Sequence, residues 1–528
     1  KIREVFEKWR IKDTAALMSN LQKNQELKAV LLEETPWVLE AKNEAAQKRN
    51  IALLFDMIRM SEQLNSAYEK LSRMQSSNGG FVWFTGGPDD RYMTQYIVTG
   101  IGHLFKLKSV AKGQEEKLKS ILQKAIPYLD LKIKQDYDDL IRYKTNLKNY
   151  TPGYSMIQYL YMRSFFPDYP VATASRTAYD YFRGRAQLTW VSQSKYMQGM
   201  ISLALHRTGD AKTTAAILKS LKETSLSNEE LGMYWKDQSN GWFWHQAPIE
   251  TQSLLIEAFQ EAGNDEQTVN ELRTWLLKNK QTNHWKTTRA TAEACYALLL
   301  QGNGPASIGG ISNEPVIDIQ LGNYSISSNA QPKEAGTGYF KQSIEGNMVK
   351  PEMGNIKVTV SKEAGNNPGW GAAYWQYFED LDKITVAATP LKLNKKLFVE
   401  KNTDRGPVLT PVNDGDVLKV GDKIKVRLEL RVDRDMEYVH MKDMRASALE
   451  PVNVLSQYKW QGGLGYYEST KDASTNFFFH YLTKGTYVFE YPLFVTHTGN
   501  FSNGITSIQC MYAPEFSAHS EGIRITVE

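Results

Sequence analysis

Two aspartates stand side by side, Asp89 and Asp90, followed by Arg91. A glycine-rich stretch, "NGGFVWFTGGPDDRYMTQYIVTGIGHL" (78–104), runs there into a helical pattern. Paired carboxylates can hold a divalent cation or start a carbocation cyclisation, and the second chemistry needs a buried acid in an apolar cavity. A loop rich in glycine and proline offers no such cavity, so the acids are expected to face the positive end of a helix dipole. Thiol chemistry is as restricted. Cys295 and Cys510 are the only cysteines, one in a helical pattern and one in a strand pattern, which leaves no disulfide framework and no CxxC pair. Cys295 sits in "AEACYALLL" and is expected to be a small buried hydrophobe rather than a zinc ligand. The eight histidines contain no HExxH and no close pair. No metal and no cofactor are therefore expected.

Composition excludes further classes. With 63 basic against 59 acidic residues, a net +4 and no block of like charge, there is no electrostatic case for nucleic acid or an anionic membrane. No apolar run approaches the roughly 18 residues of a transmembrane segment, and the opening has no signal-peptide pattern. The chain starts at Lys1 without a Met, which reads as a segment of a larger protein whose targeting signal, if any, lies upstream. Its 528 residues suggest about three domains.

The elements that must position these residues fall into two regimes. Up to about residue 303 the apolar residues recur at helical spacing: Tyr92, Tyr96, Ile97, Gly100, Ile101 and Leu104 share one stripe, and Leu254, Leu255, Ala258 and Phe259 another. Inner helices are expected to begin near Tyr92, Gly153, Ser194, Glu250 and Thr288, spaced as helix pairs that stack into a closed array or solenoid. The loops repeat too. "SNGWFWHQAPIETQSLLIEAF" (239–259) echoes the opening stretch, with Asn-Gly, clustered aromatics, then a Thr-Gln pair inside the next helix, and "NHWKTTRATAEACYALLL" is a fainter third copy. Recurrence argues for architecture over catalysis: glycines let the backbone turn and aromatics wedge between helix ends.

At "QGNGPASIGGISNEP" (301–315) the period changes to alternation. Ile317, Ile319 and Leu321 alternate with polar residues, "NIKVTVSKE" follows suit, and in "DKIKVRLELRV" Ile424, Val426, Leu428, Leu430 and Val432 share one face. These read as half-buried antiparallel strands, and with "TYVFEYPLFV" and "GIRITVE" the last 200 or so residues read as two β-sandwiches.

Helical repeats with Gly-Gly-Phe-x-Trp loops, then strands carrying "GWGAAYWQYFEDL" and ending in "SNGITSIQCMYAPEFSAHSEG", resemble the C-terminal part of bacterial alpha-2-macroglobulin family proteins over nearly the whole chain. The resemblance implies a thioester-domain-like α/α toroid at 1–305, a CUB-like or macroglobulin-like β-sandwich at 306–394, incomplete where strands from upstream would complete it, and a macroglobulin or receptor-binding-like sandwich at 395–528. In that family a cysteine closes a thioester with the Gln three residues on. Cys295 is followed at that position by Leu298 and Cys510 by Ala513, and the corresponding head of the helical region, "LLEETPWVLEAKN", holds no nucleophile. What the resemblance implies is a non-enzymatic, thioester-less portion of a protease-trapping protein of the bacterial cell envelope, periplasmic, surface-exposed or secreted. Its partners would be a target protease and upstream macroglobulin domains.

Two further readings rest on the loops. Phe81, Trp83, Asp89, Asp90, Arg91, Trp242, Trp244 and His245 form a candidate interaction or docking surface, weighed against packing within the chain. The rival is a polysaccharide lyase, which shares the toroid-plus-sandwich architecture. There His245 or Tyr92 would abstract the proton, Arg91 and Asn78 would neutralise the uronate carboxylate, and Trp83, Trp242 and Trp244 would stack on sugar.

Overall fold

The computed structural model describes residues 57–110, 113–236, 248–300, 316–332, 339–361, 371–375, 377–387, 391–413 and 415–528. The chain is α-helical first and β-stranded afterwards. The helices are α1 (Met57–Arg73), α2 (Arg91–Lys106), α3 (Glu115–Arg142), α4 (Tyr154–Arg163), α5 (Thr173–Thr189), α6 (Lys195–Arg207), α7 (Ala211–Glu223), α8 (Pro248–Ala258), α9 (Glu266–Thr282) and α10 (Thr288–Leu299). Side-chain oxygens of Asp90, Ser194, Asp210, Asp265 and Thr287 accept a backbone N–H at the heads of α2, α6, α7, α9 and α10, each stabilising its helix by about 1 kcal/mol.

The five expected inner helices all form. In space α2 packs on α4, α4 on α6, α6 on α8 and α8 on α10, while α3, α5, α7 and α9 stand outside them. His103 of α2 stacks on Tyr296 of α10 with ring centroids 3.6 Å apart, so the first and last of these helices meet across the axis of an α/α toroid. Every residue of α8 from Ile249 to Ala258 is buried, as a helix enclosed on all sides requires.

The opening loop has a structural counterpart just upstream of the expected copy, whose loop residues 239–247 lie outside the described residues. Strands β1 (Phe81–Val82) and β2 (Asp89–Asp90) pair in the first loop, β3 (Leu226–Asn228) and β4 (Gly232–Tyr234) in the other. Gly79, at φ +97°, and Gly232, at φ +72°, press against the outer helices, where an added Cβ would lie 2.0 Å from the Lys124 carbonyl oxygen and 2.1 Å from that of Glu271. Only glycine fits either place. Gln75 then ties the first loop to α3 through Gly79 O and Ile121 O, and Gln252 ties the second to α9 through Met233 O and Leu272 O.

Strands β5 (Ile317–Leu321), β6 (Tyr324–Ser327) and β7 (Ile356–Val360) form one antiparallel sheet, ordered β6-β5-β7. Two expectations fail in this part. β7 is exposed along its whole length, because nothing among the described residues packs on it, and residues 371–375 and 377–380, expected in a strand, carry none and are exposed. Residues 384–387 pair instead with the terminal domain, through an Ala387–His519 bridge and a Gly522 N–H to Ile384 O hydrogen bond of 2.8 Å.

The terminal sandwich contains β8 (Leu391–Thr403), β9 (Gly406–Pro411), β10 (Val417–Leu418), β11 (Lys423–Val432), β12 (Met436–Met444), β13 (Leu449–Pro451), β14 (Gln457–Gln461), β15 (Leu464–Lys471), β16 (Ser474–Leu482), β17 (Gly485–Val495), β18 (Gly499–Ser502), β19 (Thr506–Cys510), β20 (Ser517–His519) and β21 (Arg524–Val527). A five-stranded sheet, β13-β17-β11-β8-β9, faces a six-stranded one, β14-β15-β16-β12-β19-β20, with β10-β21-β18 at the side. Ile424, Val426, Leu428, Leu430 and Val432 are all buried between the layers, as their alternation predicts.

One ion pair crosses that apolar core. Lys395 of β8 meets Asp443 of β12 at 2.7 Å, both side chains wholly buried. The ammonium also donates to Met444 O at 2.6 Å and Asn503 O at 3.3 Å, while the Tyr491 and Thr506 hydroxyls donate to the carboxylate. Removing one partner strands the other charge in the core, so Lys395→Ala is expected to cost about 3–5 kcal/mol. Equilibrium unfolding of the whole chain in urea checks this; a loss below about 1 kcal/mol would mean that water reaches Asp443.

Candidate functional site

The opening loop is a folded scaffold with an exposed tip. Phe81 is fully buried, whereas Trp83 and Phe84 are 57% and 62% exposed, so the aromatics do not all act as wedges. Asp90 alone caps α2, accepting the Met93 N–H at 2.7 Å. Asp89, expected beside it at the helix end, turns the other way and accepts from Ser76 Oγ and Asn78 Nδ2, which hold its carboxyl below the ordinary range. Arg91 pairs with Asp136 and donates to Gln95 Oε1 at 3.0 Å. Asn78 is thus engaged with Asp89, and Tyr92 stacks on Tyr96 with centroids 6.2 Å apart. Trp242, Trp244 and His245 lie outside the described residues, as does "LLEETPWVLEAKN".

Two other expectations are corrected. The buried face of α2 is Thr94, Gln95, Val98, Thr99, Ile101 and Gly102, so of the anticipated stripe only Ile101 is fully buried. Polar residues go inside because they bond there, Gln95 Nε2 to Gln158 Oε1 at 2.8 Å and Thr94 Oγ1 from the Phe81 N–H at 2.8 Å. Cys295 is exposed, since α10 turns Ala290, Ala294, Tyr296 and Ala297 inward instead.

The densest chemistry lies on the toroid axis, and sequence reasoning missed it. Glu257 of α8 is buried and receives Arg207 of α6 at 2.6 Å, Tyr161 of α4 at 2.5 Å and Tyr296 of α10 at 2.9 Å, with Lys106 of α2 at 3.7 Å. Arg207 also grips Glu261, at 2.6 Å, and lies 3.9 Å over the Phe165 ring. Burial pushes the Glu257 carboxyl up, but Arg207, His103 and Lys106 outweigh it and hold it at about 2. Burial takes His103 down to about 4 and, with Arg207, Lys106 down to about 8.

About two turns nearer the mouth, Arg289 of α10 rests over Tyr96 at 5.5 Å and Tyr196 at 5.9 Å and donates to Tyr196 Oη at 2.8 Å. A cavity of about 10 Å³, room for one water, is lined there by Tyr96, Gln158, Tyr161, Tyr196, Arg289 and Glu293 among others. Burial pushes the Glu293 carboxyl up to about 7, against the pull of Arg289. Among the described residues no group of three or more His, Cys, Asp or Glu could hold a metal ion.

The mouth meets the terminal sandwich through polar contacts. Thr282 and Asn283 donate to Asp435 O at 3.3 and 3.1 Å. The His284 N–H donates to Glu437 Oε2 at 3.0 Å, and its ring nitrogen bonds the same oxygen. Arg434 pairs with Glu230 at 2.9 Å, Lys286 lies 4.6 Å over Tyr481, and Gln281 donates to Glu515. Tyr438, next to Glu437, is held at φ +55°, strain that a bulky residue keeps only where surroundings enforce it.

A carboxyl held at about 2 against an ordinary 4.5 binds its proton less readily folded than unfolded. Its contribution to stability is therefore full above about 4.5 and fades as pH falls towards 2. Arg207→Met should lower stability at pH 7 by about 3–5 kcal/mol and flatten this acid limb. Thermal melts from pH 2 to 7 read both; a variant with the acid limb intact would show that Arg207 does not set the Glu257 ionisation.

Residues 391–515 match the family model "Bacterial Alpha-2-macroglobulin MG10 domain". A curated "Alpha-2-macroglobulin homolog" from a Nostoc species is 19% identical over 509 residues, covering 88% of this chain and 24% of the relative. The chain thus spans about a quarter of that relative's length. Escherichia coli alpha-2-macroglobulin activated by porcine elastase aligns with 98% of this chain and 41% of its own, at 14% identity and TM-score 0.37. The trypsin-activated form aligns with 98% and 32%, at 13% identity and TM-score 0.38. Behind its helical part the chain thus carries a segment, residues 391–515, that matches the MG10 domain of bacterial alpha-2-macroglobulins.

Proposed function

We propose that the chain is the toroid-and-MG10 portion of a protease-trapping protein, a non-enzymatic module that works by conformational change and docking without an internal thioester. The observation that carries this reading is the docked interface between the toroid mouth and the MG10 domain. It is built from hydrogen bonds and ion pairs around Asp435 and Glu437, the polar character of surfaces that separate and rejoin. Target protease and upstream macroglobulin domains of a longer parent are the partners, and the bacterial cell envelope, periplasmic, surface-exposed or secreted, is the location. No helix among the described residues is long and apolar enough to cross a membrane.

The cysteines support the thioester-less part. A thioester needs a thiolate with a Gln three residues on, and neither Leu298 nor Ala513 supplies that amide. Burial pushes the Cys510 thiol up to about 12, and its Sγ donates to Glu437 O at 3.5 Å; the Cys295 thiol, exposed but partly covered by its neighbours, is raised as well. Neither is an activated nucleophile. Of the described candidate surface residues, Trp83 with its neighbour Phe84 offers exposed apolar area to a partner, while Phe81, Asp89, Asp90 and Arg91 serve the loop's own structure.

The test is digestion of the full-length parent with several proteases, followed by native gels and incubation with radiolabelled methylamine. The expected outcome is a compact, faster-migrating form that retains the protease and takes up no amine. Covalent amine uptake by this chain would contradict the thioester-less mechanism, and cleavage without retention would contradict trapping.

A further inference from the structure

We propose that the toroid axis is a proton-operated switch: Glu293, by losing its proton, draws Arg289 out of its tyrosine cage and loosens the docking of the MG10 domain. The inference rests on the fold and holds whether or not a protease is trapped. Three observations carry it. First, two acids attend one arginine at the mouth, and Glu250, which is buried, has no hydrogen-bond partner for its Oε2 among the described residues. Second, Arg289 and Glu293 stand four residues apart on α10, the spacing at which side chains on one helix meet, yet the guanidinium rests on Tyr96 and Tyr196. Two partners therefore compete for one cation, beside a cavity that can hydrate the carboxylate once it ionises. Third, α10 opens directly after Thr282, Asn283, His284 and Lys286, the residues that hold Asp435, Glu437 and Tyr481. A shift of Arg289 in the first turn of α10 is carried straight into that docking segment.

The groups facing Glu293 come from all five inner helices. They are Tyr92 and Tyr96 on α2, Tyr154 and Tyr161 on α4, Tyr196 on α6, Glu250 and Glu257 on α8, and Arg289 and Tyr296 on α10. Burial and the acids Glu257 and Glu250 favour the neutral carboxyl, and Arg289 favours the ionised one. The two forms therefore interchange at about pH 7. Below that pH Glu293 is neutral, Arg289 stays with the tyrosines and the domains stay docked.

Hydrogen exchange of the whole chain, followed at residues 282–287 from pH 6 to 8 and corrected for intrinsic exchange, reads the switch. In the unsubstituted protein, protection of this segment is expected to fall roughly ten-fold across the range, one pH unit's worth of linkage. Glu293→Gln should keep the low-pH protection throughout. Tyr196→Phe takes a hydrogen bond from the cage, so the fall should move to lower pH. A pH profile unchanged by Glu293→Gln, or a flat one in the unsubstituted protein, overturns the switch. Should Glu293→Gln fail to fold by circular dichroism, an unmoved profile in Tyr196→Phe overturns it equally.

Discussion

One carboxylate touches every inner helix of the toroid. Glu257 sits on α8, and Arg207, Tyr161, Tyr296 and Lys106 reach it from α6, α4, α10 and α2. A charge so buried is tolerable only if it is paired and fully hydrogen-bonded. That requirement fixes the rotation of five helices at once, because turning any of them withdraws a donor. Apolar packing supplies most of the stability of the ring. The shared acid supplies its geometry.

The same logic recurs at two other places. In the MG10 domain, Lys395 and Asp443, both wholly buried, join opposite sheets, so the layers have one register at which the pair is satisfied. At the docking face, Glu437 is 3% exposed while its partner His284 is 49% exposed. A buried acid held by a half-exposed residue makes a contact that can be opened without exposing core. Interior charge thus organises each domain, and polar contacts join them.

Much of this architecture was legible in the sequence, for physical reasons. The five inner helices start within about two residues of the expected positions because glycine, aromatic and capping residues punctuate each loop. The alternating β11 was plain for the same kind of reason, since a half-buried strand shows its two faces as a period of two. What stayed hidden was whatever depended on partners far along the chain. Nothing local distinguishes Glu257, Arg207 and Arg289 from surface residues, although an acid inside the apolar run "SLLIEAF" was a usable clue. Thr94 and Gln95 escaped because hydropathy treats them as outward-facing when hydrogen bonds bring them in. Cys295 was misplaced by one helical step, since every residue near it in "ACYALLL" is apolar or aromatic and the pattern does not single out a face.

The claim on which the rest depends is that a shared buried acid, rather than apolar contact alone, sets the ring. Native-state hydrogen exchange on Glu257→Gln in the whole chain tests it most directly. An amide keeps the shape of the side chain and loses the charge. The account predicts that α2, α4, α6, α8 and α10 lose protection together, while the MG10 strands keep theirs. Loss confined to α8, with the other four inner helices as protected as before, would contradict it.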